Sequence, residues 1–499
     1  MEESSYLKKI LSGALIVLIG TFISKILSYS YRVLVGRIGT EEYGLLSLGL
    51  AISGSLIVIS TLGLNIGVQR YVSYYKGKLD NARIKGIITS SLKILLPLSL
   101  SFGFILFILS NAVSINLFHN AKLSPILKIL AISIPLTVIG DIFLNTIRAF
   151  QKVEYEVFTK NLGENFFKLT FTFIFLYLGL GVIGASIAYV IAIFFTCLVA
   201  FYLVEKKIFP IFKTKVKSIK SNKELLFYSI PLVLNTFVFL VILWTDTIMI
   251  GYFKNASEVG IYNAALPTAQ LMIVIPNSLV VLFLPILTEL YAQKKTQMFG
   301  SLYKTVTKWI FGINLSLLLI LISFPKEILG IMFGKEYAAG SEVLIIVSIC
   351  YFIFYLFLTS NRILLALEKT KTVFYITLVG ALSNVVLNLL FIPYYGINGA
   401  AIATGISLLL MALLLLVSTY KITKVIPFKY NYLKIISAAI ISFFIIKWFK
   451  ESFTPKSIVS LIIAALVSLS VYFVMLLILK SFEKEDREMI KSLKPKFLQ

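Results

Sequence analysis

The chain has 499 residues, 59% of them apolar and only 14% charged, with a mean hydropathy of +0.94. That balance excludes an ordinary soluble domain and points to an integral membrane protein. The formal net charge of +24 would suit a nucleic-acid binder, but the densest basic run, Glu205 to Glu224, has no nucleic-acid fold signature and no interleaved stacking aromatics, so that class is excluded.

Apolar runs long enough to cross a hydrocarbon core of about 30 Å, at roughly 20 residues each, recur from Leu11 to Leu479. They predict an all-α integral membrane fold of about 14 transmembrane helices. The expected spans are 10–34, 44–64, 86–110, 125–150, 160–180, 184–204, 225–250, 261–288, 305–324, 342–367, 373–392, 399–420, 434–449 and 457–480. The opening "MEESSYLKKILSGALIVLIG" has the basic start of a secretory signal. Its apolar run outlasts the roughly 7–15 residues of a signal core and no small-residue cleavage site follows, so an uncleaved first helix is expected. With loops assigned alternately, the side holding both termini carries roughly 32 Lys and Arg against roughly 7 on the other, which predicts cytoplasmic termini in the cell membrane. Glu205–Glu224 then reads as an orientation signal and an anchor for lipid headgroups.

An ionised side chain inside a span costs about 2.5–3.5 kcal/mol on insertion scales, so those present are the default site candidates. In the first span Thr21, Lys25, Ser28 and Arg32 follow +4, +3, +4 spacing and form one polar stripe. Lys25 leads; the competing reading of Lys25 and Arg32 is snorkelling to the interface. The fourth span carries Thr137, Asp141, Asn145 and Arg148. Asp141 either binds a proton or sodium ion or forms a structural pair with Arg148 two turns on. Glu164 and Lys168 are an i, i+4 pair with a structural role. In the seventh span Asn235 and Asp246 share a face, with Asp246 a second candidate for ion coupling or a simple interfacial residue. In the tenth, Arg362 ends the series Tyr351, Tyr355, Thr359, Arg362, which has the spacing of the fourth span 214 residues later, and it meets either a phosphate or lipid headgroups.

The chain also repeats itself. "GVIGASIA" from Gly181 returns as "GINGAAIA" from Gly396, and "EEYGLLSLGLA" from Glu41 returns as "SEVGIYNAALP" from Ser257, 216 residues later. Two six-helix lobes are therefore expected, residues 1–204 and 225–420, joined by a basic cytoplasmic linker at 205–224 and followed by two extra helices within 421–480 and a cytoplasmic tail at 481–499. Repeats with an even number of crossings have one orientation and are related by an axis along the membrane normal, the usual architecture for alternating access. The small residues of the repeated phrase, Gly181, Gly184 and Ala185 and their counterparts Gly396, Gly399 and Ala400, let helix backbones approach closely. Cys197 and Cys350 fall inside spans and read as packing residues. The single histidine, His119, the lack of a D-x-D pair and the lack of G-x-S-x-G or P-loop motifs argue against an enzyme, a metal site or a cofactor.

The stretches "GRIGTEEYGLLSLGLAI" from Gly36, "LGLNIGVQRYVSYYKG" from Leu62, "SEVGIYNAALPTAQLMIVIPNSL" from Ser257, "FGKEYAAGSEVLIIVS" from Phe333 and "LLALEKTKTVFYITLVGALSNVVLNLLFIPYYGINGAAIAT" from Leu364 occur in that order. Together they resemble the polysaccharide exporter, or O-antigen flippase, family of the multidrug/oligosaccharidyl-lipid/polysaccharide exporter superfamily, over essentially the whole chain. The resemblance implies a transporter that moves a lipid-linked oligosaccharide from the inner to the outer leaflet; membrane lipids are further expected partners, a proton or sodium ion is the candidate counter-ion, and no nucleic acid and a monomeric state are expected. An anionic phosphate or pyrophosphate carrier needs a cationic cavity, for which Lys25, Arg32, Ser28, Thr21, Asn145, Arg148, Asn235 and Arg362 are the candidate residues, with Asp141 and Asp246 as candidate ion-coupling groups. A cation-coupled multidrug exporter of the same superfamily and a flippase for lipid-linked peptidoglycan precursors are the alternatives.

Overall fold

The computed structural model describes residues 2–212, 218–219, 222–293, 295–428 and 430–481, without the side chains of 2–18 and of several positions in later helices. The expected tail beyond Ser481 and parts of the expected linker lie outside the described residues. Among the described residues the chain is helical, with no β-strand. It forms two compact units, Met1–Ala264 with Asn388–Ile397, and Ala265–Leu387 with Asn398–Gln499.

The first unit runs through α1 (Glu2–Gly36), α2 (Thr40–Thr61), α3 (Leu64–Gly77), α4 (Asn81–Ala112), α5 (Leu123–Ala131), α6 (Ser133–Ala149), α7 (Val153–Glu156), a π-helical stretch (Val157–Gly163), α8 (Glu164–Tyr177), α9 (Gly181–Leu203), α10 (Asn222–Phe253) and the start of α11 (Ala256–Gln270). Glu41 and Glu42 sit in the first turn of α2, where negative charge complements the helix dipole. The second expected span does not run on smoothly. Leu62 (φ +46°) and Gly63 (φ +67°) are both left-handed, which ends α2 and lets α3 leave at a new angle. Glycine takes that conformation without the side-chain penalty that leucine bears. Leu64, Val68, Val72 and Tyr75 then form the buried stripe of α3 in a core shared with α4 and α6.

The second unit contains α12 (Val274–Ala292), α13 (Thr296–Ser323), α14 (Pro325–Met332), α15 (Ser341–Leu356), α16 (Leu358–Ala366), most of α17 (Thr370–Thr423), α18 (Asn431–Ser452) and α19 (Ile458–Ile478). The two C-terminal helices are fastened to α13: the Phe311 ring lies 4.8 Å from that of Tyr432 on α18, and the Tyr472 hydroxyl on α19 donates to the Gly312 carbonyl at 3.0 Å. Ser457 and Ser460 form a capping box that starts α19.

Among the described residues eleven helical segments are long and apolar enough to cross a membrane, so the expected fourteen are not all recovered by that measure. One of the eleven, the 54-residue α17, leaves helical geometry at Gly396 (φ +55°, ψ −134°), between the two spans expected there. The matching turn before α9 uses Gly179 and Gly181, also at positive φ, and a Cβ on Gly184 would stand 2.8 Å from that of Phe175. The repeated phrase thus makes a tight turn and a close helix approach in its first copy. Both cysteines pack against glycine: Cys197 on α9 meets Gly140 on α6 and Cys350 on α15 meets Gly405 on α17.

The tightest crossing joins equivalent points of the repeat. A Cβ on Gly44 of α2 would come 1.6 Å from the carbonyl oxygen of Ala256, and one on Gly260 of α11 would come 2.0 Å from that of Thr40. Thr40 and Ala256 are themselves 216 residues apart, as are Gly44 and Gly260, so each glycine abuts the backbone one turn before the other. Ser257 Oγ donates to Thr40 Oγ1 at 2.8 Å and Tyr43 Oη to the Asn263 carbonyl at 3.0 Å, closing the seam. Backbone cannot yield as a side chain can, so a Cβ here forces the helices apart, and overpacking costs about 1–3 kcal/mol or more. Gly44→Val and Gly260→Val are each expected to lower the detergent melting temperature clearly, whereas Gly330→Ala in α14, whose Cβ would meet nothing within 4 Å, should leave it unchanged or raise it.

Candidate functional site

In the first unit α1, α6, α8 and α9 bring together most of the charged side chains placed within spans. α1 is held close to the π-helical stretch, since a Cβ on Gly20 would lie 2.2 Å from a methyl of Val157. Asn165 of α8 donates to Ser24 Oγ at 3.0 Å and so fixes the polar stripe of α1 beside α8. Across this ground the carboxylates are all engaged. Lys160 Nζ lies 2.6 Å from Asp141 Oδ1, Lys168 Nζ lies 2.6 Å from Glu164 Oε1, and Glu156 receives both Nε, at 2.9 Å, and Nη2 of Arg148. Asp141 therefore pairs with Lys160 rather than with Arg148. The reason is geometric: the π-helical stretch carries Lys160 to the face of α6 that holds Asp141, while Arg148, at the last turn of α6, turns to Glu156 after the chain reverses. Asn145 sits between them, donating to the Asp141 carbonyl at 2.7 Å and accepting from Arg148 at 3.5 Å.

Two cations of the cluster have no carboxylate partner among the described residues. Lys25 is exposed on α1, and Arg32, half-buried two turns later, donates to Tyr43 Oη at 3.4 Å. Four cations, Arg32, Arg148, Lys160 and Lys168, thus stand with three carboxylates, Asp141, Glu156 and Glu164, and Lys25 lies on the same stripe of α1 as Arg32. Thr21 is exposed and Ser28 half-buried on the same stripe. Two tyrosines sit within it: Tyr189 of α9 lies under the Lys168 ammonium at 4.7 Å, and Tyr31 is 7% exposed with no hydrogen-bond partner for its hydroxyl among the described residues. Positive charge therefore outnumbers negative here, with a buried hydroxyl beside it.

Asp246 of α10 lies elsewhere in this unit. It is 5% exposed, accepting from Tyr262 Oη at 2.5 Å and from Asn388 Nδ2 at 2.6 Å. Its neighbourhood is a buried polar network that ties residues 388–397 to α10, helped by Lys254 Nζ on the Pro393 carbonyl at 3.0 Å. The Asn235 side chain lies outside the described residues. Arg362 belongs to α16 of the second unit, half-buried. Its companions there are engaged: Gln270 donates to Tyr351 Oη at 2.8 Å, Tyr355 stacks on Tyr351 with centroids 5.2 Å apart, and the Thr359 and Thr307 hydroxyls are 3.0 Å apart. Of the sequence candidates, then, the structure brings Thr21, Lys25, Ser28, Arg32, Asp141, Asn145 and Arg148 into one unit-1 neighbourhood. The sequence reading missed Lys160, Tyr31 and Tyr189. Lys160 continues the Glu164, Lys168 spacing by one turn and could have been found; the two tyrosines carry no local signal. Among the described residues no three His, Cys, Asp or Glu side chains converge as a metal site requires.

The helical fold, with segments long and apolar enough to cross a membrane, is that of an integral membrane protein. The family model described as "Polysaccharide biosynthesis protein" matches residues 10–291, more than half of the chain, and the chain belongs to that family. The MatE model matches residues 231–390. An uncharacterised membrane protein of Methanocaldococcus jannaschii is 26% identical over 421 residues, 80% of this chain and 82% of that protein. A probable low-salt glycan biosynthesis flippase of Haloferax volcanii is 27% identical over 199 residues, 39% of this chain and 41% of that protein. A putative O-antigen transporter of Shigella flexneri is 24% identical over 393 residues, 76% of this chain and 90% of that protein. Among solved structures, a lipid II flippase in an inward closed conformation superposes with a TM-score of 0.73 at 19% identity, covering 92% of this chain and 97% of that one, which establishes the fold.

The Glu164–Lys168 pair, with side-chain exposures of 17% and 13%, tests how far this cluster is structural. Removing one partner of a buried pair is costly, about 3–5 kcal/mol at full burial, whereas replacing both is far milder. Glu164→Gln alone is expected to lower the melting temperature, and Glu164→Gln with Lys168→Met to recover most of the loss, with the coupling read from a double-mutant cycle.

Proposed function

We propose that the chain is a flippase that carries a lipid-linked oligosaccharide, on a polyprenyl phosphate or pyrophosphate carrier, from the cytoplasmic to the outer leaflet by alternating access between its two repeats. The observation that carries this reading is the cationic surplus at Lys25 and Arg32, beside carboxylates that already have partners. A phosphate supplies the missing negative charge, and the neighbouring hydroxyls of Thr21, Ser28 and Tyr31 supply hydrogen bonds to it or to sugar. The work is transport, with no bond made or broken by the chain. Family membership and the relatives named for glycan flipping and O-antigen transport support the substrate class. Asn145 and Arg148, on α6 of the first unit, and Asn235 are assigned to the pathway, and Arg362 of the second unit is a further candidate for phosphate.

The MatE match favours a second reading, a cation-coupled exporter, and in either case the coupling group is assigned to Asp246 rather than Asp141. Asp141 is neutralised by Lys160 at 2.6 Å, whereas protonation or cation binding at Asp246 would rearrange the Tyr262 and Asn388 hydrogen bonds and so shift a packed element. Asp246→Asn is expected to remove any dependence of transport on proton or sodium gradients. Both termini are assigned to the cytoplasm: a reporter fused after Lys217 or Lys429 should be cytoplasmic and one at Asn255 external, and the reverse at either place would overturn the orientation.

The test of the site is complementation of glycan export in a flippase-deficient host with membrane abundance measured in parallel. Lys25→Ala is expected to abolish export at normal abundance and Lys25→Arg to keep part of it, since arginine preserves charge but replaces a compact ammonium with a planar fork. Full export by Lys25→Ala at normal abundance would remove α1 from the pathway.

A further inference from the structure

The second unit holds a cavity of about 430 Å³ between the end of α13, the start of α14 and the end of α18, whose lining includes Ser323, Glu327, Phe443, Lys447, Lys450 and Glu451. Lys450 reaches across and pins the three helices together. Its ammonium donates to the Ser323 carbonyl at 2.7 Å, at the end of α13, and to both carboxylate oxygens of Glu327, at 2.9 and 3.0 Å, in the first turn of α14. It also lies 5.3 Å from the centre of the Phe324 ring. The Lys450–Glu327 pair is shielded, with side-chain exposures of 27% and 12%, and so is taken up by the fold.

The rest of the lining is not engaged. Lys447 and Glu451 stand one turn apart on α18, both exposed, and neither makes an ion pair or a side-chain hydrogen bond among the described residues. Their order, cation before carboxylate, is the weaker one for an i, i+4 pair. Ser323, on the wall, is 8% exposed, and its hydroxyl has no hydrogen-bond partner among the described residues. A buried hydroxyl left unmatched costs stability, so beside an open cavity it marks a place for a polar atom of a ligand. Phe443 gives the wall a flat apolar face, and the volume lies within the roughly 300–1,000 Å³ of small-ligand sites.

Charge decides what fits. Two ammonium groups and two carboxylates bound the space, so an anion meets Glu327 and Glu451 and a cation meets Lys447 and Lys450, whereas a ligand without net charge meets neither penalty. That ligand must both donate and accept, because Lys447 only donates, Glu451 only accepts and Ser323 does either. A neutral sugar ring has this chemistry, with hydroxyls around its rim and C–H groups on the face that would lie against Phe443. We propose that the cavity binds one neutral sugar unit of a glycan through Lys447, Glu451, Ser323 and Phe443. With the termini in the cytoplasm the end of α18 opens to the outer side, so the sugar is one already carried across. That placement, and the source of the sugar, rest on the flippase reading; the preference for a neutral sugar rests on the cavity itself.

The test uses the full chain in a detergent without a sugar headgroup, with binding followed by saturation-transfer NMR. The probes are the methyl glycosides of glucose, galactose, mannose and N-acetylglucosamine, and then glucuronate, glucosamine and glycine betaine. At least one neutral glycoside should bind more tightly than glucuronate and glucosamine. Ser323→Ala should weaken it about 5-fold, the weight of one hydrogen bond, with the melting temperature unchanged or raised because an unmatched hydroxyl is gone. Glu451→Gln leaves the cavity with a net positive charge and should shift preference towards glucuronate; Lys447→Gln should shift it towards glucosamine. Binding of no neutral glycoside, or binding that all three variants leave unchanged, would overturn the proposal. Tighter binding of glycine betaine than of any glycoside would do so too, and make the cavity a site for zwitterions. Glycan export by wild type in the flippase-deficient host is scored separately. Absent export with sugar binding intact would overturn the flippase reading alone, and export without sugar binding would overturn the cavity site alone.

Discussion

Much of this structure follows from the cost of holding charge in hydrocarbon. Several kcal/mol of desolvation per ion must be met by a partner at short range or by access to water. The first unit meets that demand by pairing: Asp141 with Lys160, Glu164 with Lys168, Glu156 with Arg148. Each pair joins neighbouring turns or short connections, so the carboxylates are satisfied within one unit. Because the pairs use the nearby negative charge, Lys25 and Arg32 on α1 are left without a carboxylate partner among the described residues.

Helix breaks place these groups. The left-handed Leu62 and Gly63 separate the apolar α2 from α3, whose outer face is basic and aromatic. The π-helical stretch from Val157 to Gly163 adjusts the register so that Lys160, Glu164 and Lys168 present themselves successively to α6 and α9. Irregular backbone in a membrane protein is tolerated where neighbouring elements satisfy it, and here it sits where the charged side chains do.

The class of fold was legible because hydropathy and length constrain helices strongly in a bilayer. The polar stripe of α1 was legible for the same reason that helix faces are, a spacing of three and four. So was the Glu164–Lys168 pair. The partner of Asp141 was not, because an i, i+7 reading of α6 alone offers Arg148, and only the path of the chain through 153–163 brings Lys160 nearer. Asp246 illustrates the longer case. Its contact with Asn388 spans 142 residues, and no local pattern marks either as the other's partner. The break at Leu62 was hidden because leucine carries no signal for a left-handed backbone. The internal repeat was visible from a short phrase, but the reciprocal glycine crossing required knowing that Gly44 and Gly260 meet.

That crossing has a consequence for how the chain can change over generations. Most paired positions of the repeated phrases differ in side chain, as Glu41 and Ser257 do. Gly44 and Gly260 are not independent in that sense, because each lies against main chain from the other copy and main chain has no smaller version to offer in compensation. Enlarging one cannot be answered by trimming the other. The two positions therefore hold or fail together: a side chain at either one opens the same seam.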